Sequence, residues 1–101
     1  MNALSQEVSM FAVVVHVRIA SGQVESSREA LKNQVIPRIR QAPGFVKGYW
    51  TASADGTNGD SIVVLKTKQE AEQALAMVRN QPPPPGVTIE KAEVREVVAE
   101  A

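Results

Sequence analysis

The chain has 101 residues and a mass of 10.9 kDa. That length suits one core of about four or five elements and is too short for a cofactor domain beside a substrate domain. Lys+Arg and Asp+Glu number 11 each, so there is no basic surplus to neutralise phosphates and nucleic acid is not an expected partner. The absence of Cys and the single His exclude disulfides, thiolate chemistry and the usual zinc site within one chain.

Residues 1–9 are expected to form a flexible leader, and residues 10–101 a single domain. The first ten residues, MNALSQEVSM, carry no basic region followed by a long apolar run, so they do not read as a secretory signal. The longest strongly apolar stretch, Phe11 to Val15, is far below the roughly 18 residues that span a bilayer. No membrane association and a cytoplasmic location are expected.

Phe11 to Ala20, FAVVVHVRIA, is rich in branched side chains and predicts a strand. Phe11, Val13, Val15, Val17 and Ile19 make one wholly apolar face. Ala12, Val14, His16, Arg18 and Ala20 make a mixed one. Ser21-Gly22 breaks the strand. Ser26 and Glu29 read as a capping box, which starts a helix after Ser26 with the stripe Leu31, Val35, Ile36 and Ile39. Pro37 falls inside that stripe and predicts a kink near Asn33 to Pro37, with the helix resuming to about Gln41. Pro43-Gly44 ends it.

A second strand is expected over Phe45 to Ser53, with Phe45 and Tyr49 on one face and Val46, Trp50 and Ala52 on the other. The turn-rich DGTNGD (Asp55 to Asp60) reads as a hairpin loop leading to a third strand over Ser61 to Lys66. It offers hard oxygen ligands but lacks calcium-loop spacing. Thr67 and Glu70 form a second capping box. The stripe Ala71, Ala74, Leu75 and Val78 carries a helix to about Asn80. Pro82 to Pro85 predicts an extended linker that positions the last strand, Val87 to about Val98.

The order β-α-β-β-α-β is the ferredoxin-like α+β arrangement, a four-stranded antiparallel sheet with two helices on one face. The face away from the helices should be polar in a monomer, yet it carries many apolar residues. A homodimer packed sheet against sheet is the economical remedy. A monomer covered by its own leader and tail is the alternative.

His16 is the candidate catalytic residue, because imidazole is the usual general base near neutral pH. Facing the helix-side cleft, it could take a phenolic or enolic proton, and the resulting carbanion could react with oxygen. The structural reading is a hydrogen-bonded histidine in the sheet or the dimer interface. Arg18, Tyr49 and Trp50 are the candidate substrate-binding residues. Arg18 would hold an anion, or pair with Glu90 or Glu93. Tyr49 and Trp50 are adjacent on a strand, so at most one can line a given pocket.

The element order, the segment IPRIRQAPGFVKGYW (Ile36 to Trp50) and the C-terminal strand resemble the dimeric α+β barrel superfamily, and more closely its small, stand-alone, antibiotic-biosynthesis monooxygenase-like members. In these a helix leads through Pro-Gly-Phe, here Pro43, Gly44 and Phe45, into a strand with aromatics shortly after. The resemblance implies that two sheets pair into a barrel and that a small-molecule ligand sits between sheet and helices. It also implies a cofactor-independent monooxygenase-like activity on a small aromatic or polyketide-like molecule, with no cofactor. A non-enzymatic small-molecule-binding or assembly module fits the residues as well. The haem-degrading branch needs a helix His, and neither predicted helix contains one.

Overall fold

Crowded Val and Ile side chains hold Phe11–Ile19 extended as strand β1 in the computed structural model, which describes residues 10–101. The expected leader lies outside the described residues. Beyond β1 come a helix in three segments, then β2 (Phe45–Trp50), β3 (Asn58–Leu65), a second helix and β4 (Val87–Glu96). The strands form one antiparallel sheet in the order β2-β3-β1-β4. The two flanking pairings make β1 central, as its apolar content requires. The ferredoxin-like arrangement is therefore the observed one.

Both helices lie on the same side of the sheet. Val13 and Val15 from β1, and Val63 and Leu65 from β3, are buried there against Ile39 of the first helical region, Ala42 in the turn that follows it, and Ala71 and Ala74 of the second. Leu65 is fully buried. The other side carries neither helix and is called the open face below.

The first helix begins earlier than the expected capping box. A turn at Ser21-Gly22, with Gly22 at φ +81°, turns the chain, and α1 (Val24–Ala30) starts directly after Gln23. Ser26 therefore lies inside the first turn and donates to the Gln23 carbonyl and side-chain oxygen instead of capping. The expected kink is realised as a π-helical turn over Leu31–Val35, continuous with α2 (Ile36–Arg40). The Ile36 amide reaches back five residues to the Leu31 carbonyl. Pro37 then falls in the first turn of α2, where its missing donor costs least.

The second capping box forms in one direction. Thr67 Oγ1 accepts from the Glu70 amide at 3.1 Å and opens α3 (Lys68–Asn80). The Glu70 carboxylate does not return the bond. It rests against Gly44, whose φ of +79° ends the preceding turn.

Two strand boundaries differ from expectation in ways that matter for the site. β2 stops at Trp50, and β3 begins at Asn58, so Asn58, Gly59 and Asp60 pair with β1 and are not loop residues. The loop proper is pinned by Asp55 Oδ1, which accepts from the Thr57 amide, the Thr57 hydroxyl and the Ser53 hydroxyl. These bonds, led by the Thr57 amide, hold the Asp55 carboxyl below its usual range. The second difference is a bulge in β2. Phe45 faces Leu65 but Lys47 faces Val64, so Val46 is the extra residue. The bulge shifts the strand's alternation by one, putting Phe45 and Trp50 with the core and Tyr49 on the open face, against the expected grouping of Phe45 with Tyr49.

Candidate functional site

The sequence candidates separate onto the two sides of the sheet. His16 projects from the open face of β1, directly across from Asp60 of β3. His16 Nδ1 lies 2.7 Å from Asp60 Oδ1, and Nε2 lies 3.6 Å from Glu90 Oε1. Glu90 also receives Arg18 Nη1 at 2.8 Å, one of the two pairings expected for Arg18. His16, Arg18, Asp60 and Glu90 thus form one charged group spanning β3, β1 and β4. Glu90 reaches it because the β1–β4 register shifts between His16 and Val17, leaving Glu90 out of the ladder. With Asp60 accepting from Nδ1–H, a neutral imidazole carries its lone pair on Nε2, on the Glu90 side. The sequence points to Glu90 as a partner of Arg18 but not to Asp60 as a partner of His16, because the turn-rich residues around Asp60 predict a loop.

The same face continues into ion pairs from Glu93 to Arg95 at 2.6 Å and to Lys91 at 3.7 Å. The Arg95 hydrogen bond, with Lys91 adding its charge, holds the Glu93 carboxyl below its ordinary 4.5. A lowered pKa favours the charged form in the fold. Its contribution is complete above the ordinary carboxylate range and is lost as pH falls through the lowered value. An NMR titration of the Glu93 side chain is expected to give a midpoint below 4.5 that moves back toward it in Arg95→Ala.

Beside these charges the open face turns apolar. Val46, Tyr49 and Ile62 are 38%, 59% and 39% exposed, and Val64 lies next to them. The C-terminal tail after β4 borders a groove at one end of this apolar stretch, held there by the Val97 amide on the Met10 carbonyl.

Between sheet and helices lies a cleft of about 500 Å³, within the usual size of small-molecule sites. Its floor is Val13, Val15, Val17 and Ile19 of β1, with Trp50 at the β2 end. Leu31 and Val35 of the π turn and Met77 and Val78 of α3 form the walls. Pro82, Pro83 and Pro84 close one side, so the expected linker is also a wall. Trp50 enters the cleft because of the Val46 bulge; Tyr49 and His16 do not line it. Among the described residues no group of His, Asp and Glu is arranged to hold a metal ion. No described helix is long and apolar enough to cross a membrane.

No protein-family profile matches the chain, and no curated protein matches it in sequence. Solved structures match it closely in shape. A protein from Shewanella loihica PV-4 described as a "putative monooxygenase" superposes with a TM-score of 0.70 at 14% identity, covering 91% of this chain and 98% of that one. A "putative antibiotic biosynthesis monooxygenase" from Bordetella bronchiseptica gives 0.63 at 14% identity, covering 92% and 99%. NE2512 from Nitrosomonas europaea, a protein of unknown function, gives 0.65 at 12% identity, covering 94% and 95%. The chain has the fold of these proteins over nearly its whole length, the fold that the sequence resemblance implied.

Proposed function

We propose that two copies of this chain pair through their open sheet faces and that each holds a small aromatic or polyketide-like molecule in the cleft between sheet and helices. The cleft carries this reading: an apolar volume of about 500 Å³ with one indole in its wall is more space than a packed core leaves unfilled. Pairing is supported by the exposed Val46, Tyr49 and Ile62, which would make a contiguous apolar patch in a monomer. Native mass spectrometry of the purified protein is expected to show a dimer carrying added mass. A monomer would remove the pairing, and a dimer that takes up no aromatic molecule would remove the cleft's role.

A second reading is cofactor-free oxygenation with His16 as base. It draws support from the Asp60 carboxylate 2.7 Å from Nδ1, the arrangement that fixes a catalytic imidazole's tautomer. It also draws on the fold's likeness to proteins described as monooxygenases. A ring methylene activated by a neighbouring carbonyl would lose a proton to Nε2. The carbanion would reduce dioxygen, and the CH2 would become C=O with release of water. On this reading pairing is confined to the apolar stretch of Val46, Tyr49 and Ile62, and the substrate reaches His16 at the charged part of the open face beside it, with Arg18 near its anionic oxygen. His16→Ala is expected to lower oxygen uptake at least about 10²-fold while the dimer persists. Retained uptake would take His16 out of the chemistry, while cleft binding unchanged in His16→Ala would keep the two sites separate.

A further inference from the structure

The cleft is not electrically neutral. Arg28 of α1, Lys32 of the π turn and Arg38 of α2 all line it, while the sole carboxylate among its lining residues is Asp60, which is bonded to His16 on the other side of the sheet. Among the described residues the ion pairs Arg18–Glu90, Lys91–Glu93 and Arg95–Glu93, together with the contacts of His16 to Asp60 and Glu90, all lie on the open face. None involves Arg28, Lys32 or Arg38. Arg38 is held at the cleft by a neutral partner, donating through Nη1 to the side-chain oxygen of Gln81. The described ion pairs thus lie on one side of the sheet, while three cations outside them line an apolar cavity on the other.

We infer that the cleft's ligand is an organic acid: an apolar, ring-sized body lying on β1 against Trp50, with one carboxylate directed to Arg28, Lys32 and Arg38. This rests on the cleft being a small-molecule site, as proposed above. The chemistry follows from the cations. A carboxylate beside low-dielectric walls gains charge-assisted hydrogen bonds from guanidinium and ammonium groups, and an uncharged head group does not. The apolar floor offers that head group no other charged partner, so the cations also fix the direction in which the ligand enters.

The test compares naphthalene-2-carboxylate with its uncharged counterpart, naphthalen-2-ylmethanol, on the intact protein at low salt. Binding is followed through the methyl NMR signals of Ile39 and Met77, which report the cleft, and of Ile62, which reports the open face. The acid is expected to bind in the cleft at least about tenfold more tightly than the alcohol, with the advantage shrinking as salt is raised. In the triple variant Arg28→Gln, Lys32→Gln, Arg38→Gln the ratio should fall to about one while the alcohol's affinity stays unchanged. All three side chains are exposed, so the variant should keep the fold, and the salt series tests the same point without any substitution. Equal binding of acid and alcohol in the cleft would overturn the inference and leave the cleft's role standing. Shifts at Ile62 alone, or none at all, would overturn both.

Discussion

Gly59→Ala is expected to cost about 3 kcal/mol of folding stability, the upper part of the range for overpacking a well-filled site. A Cβ at Gly59 would lie 2.3 Å from the Thr51 carbonyl oxygen. That oxygen belongs to backbone that cannot swing aside, because the Thr51 amide donates to the Asp60 carbonyl at 2.8 Å and the Thr51 hydroxyl is bonded to the same residue. Relief therefore requires separating β2 from β3 where their hairpin begins. Gly22→Ala is the matched control. Gly22 has φ +81° but nothing within 4 Å of its would-be Cβ, so only the left-handed backbone is penalised, at about 1 kcal/mol. Urea unfolding of both variants at one protein concentration separates the two costs. Equal losses would show that the β2–β3 junction yields easily. Gly59 and Thr51 also line the cleft, so a folded Gly59→Ala protein should bind naphthalene ligands more weakly than Gly22→Ala does.

Ile62→Lys is expected to convert the proposed dimer to monomer, weakening self-association by at least about 10³-fold. Ile62 is 39% exposed in the single chain, so a lysine there meets water and leaves the monomer's stability nearly intact. Between two paired sheets the same ammonium would be buried without a partner, a cost of about 3–5 kcal/mol, and two-fold symmetry would bring in a second one. Sedimentation velocity across a concentration series reads this directly. An Ile62→Lys protein that dimerises like the parent would place the contact elsewhere. A parent protein that is monomeric would remove the proposed pairing altogether.

The sequence pattern carried the element order, the central position of β1 and the buried stripe of α3, because each rests on a repeat of several residues that survives a local error. Single-residue events were not legible. Strict alternation across Phe45 to Trp50 assigns Tyr49 to the face of Phe45, and the bulge at Val46 reverses this. Nothing in FVKGYW marks Val46 as the extra residue, since a bulge is chosen by the pairing of β2 with β3. Asp60 was hidden differently. Asp-Gly and Asn-Gly favour turns locally, and long-range pairing of Asn58 with Arg18 and of Asp60 with His16 outweighs them. Tyr49 and Trp50, adjacent on β2, point to opposite faces as alternation requires, so only Trp50 of the two enters the cleft. Arg28, Lys32 and Arg38 carry no mark in the sequence, because exposed Arg and Lys on a helix look like ordinary solvated charge until the cleft beside them is seen.

The run Pro82 to Pro84 has a thermodynamic consequence for whatever enters the cleft. Each proline ring fixes φ and removes the amide hydrogen, so this side of the cavity can accept hydrogen bonds through its carbonyls but can donate none. A loop of ordinary residues loses roughly 1–2 kcal/mol per residue in backbone freedom when a ligand immobilises it. Here most of that loss is already incurred during synthesis of the chain, so uptake should proceed with little entropic penalty from the protein. The same stiffness narrows the repertoire: a guest that does not match the existing outline cannot be met by a wall that remoulds around it.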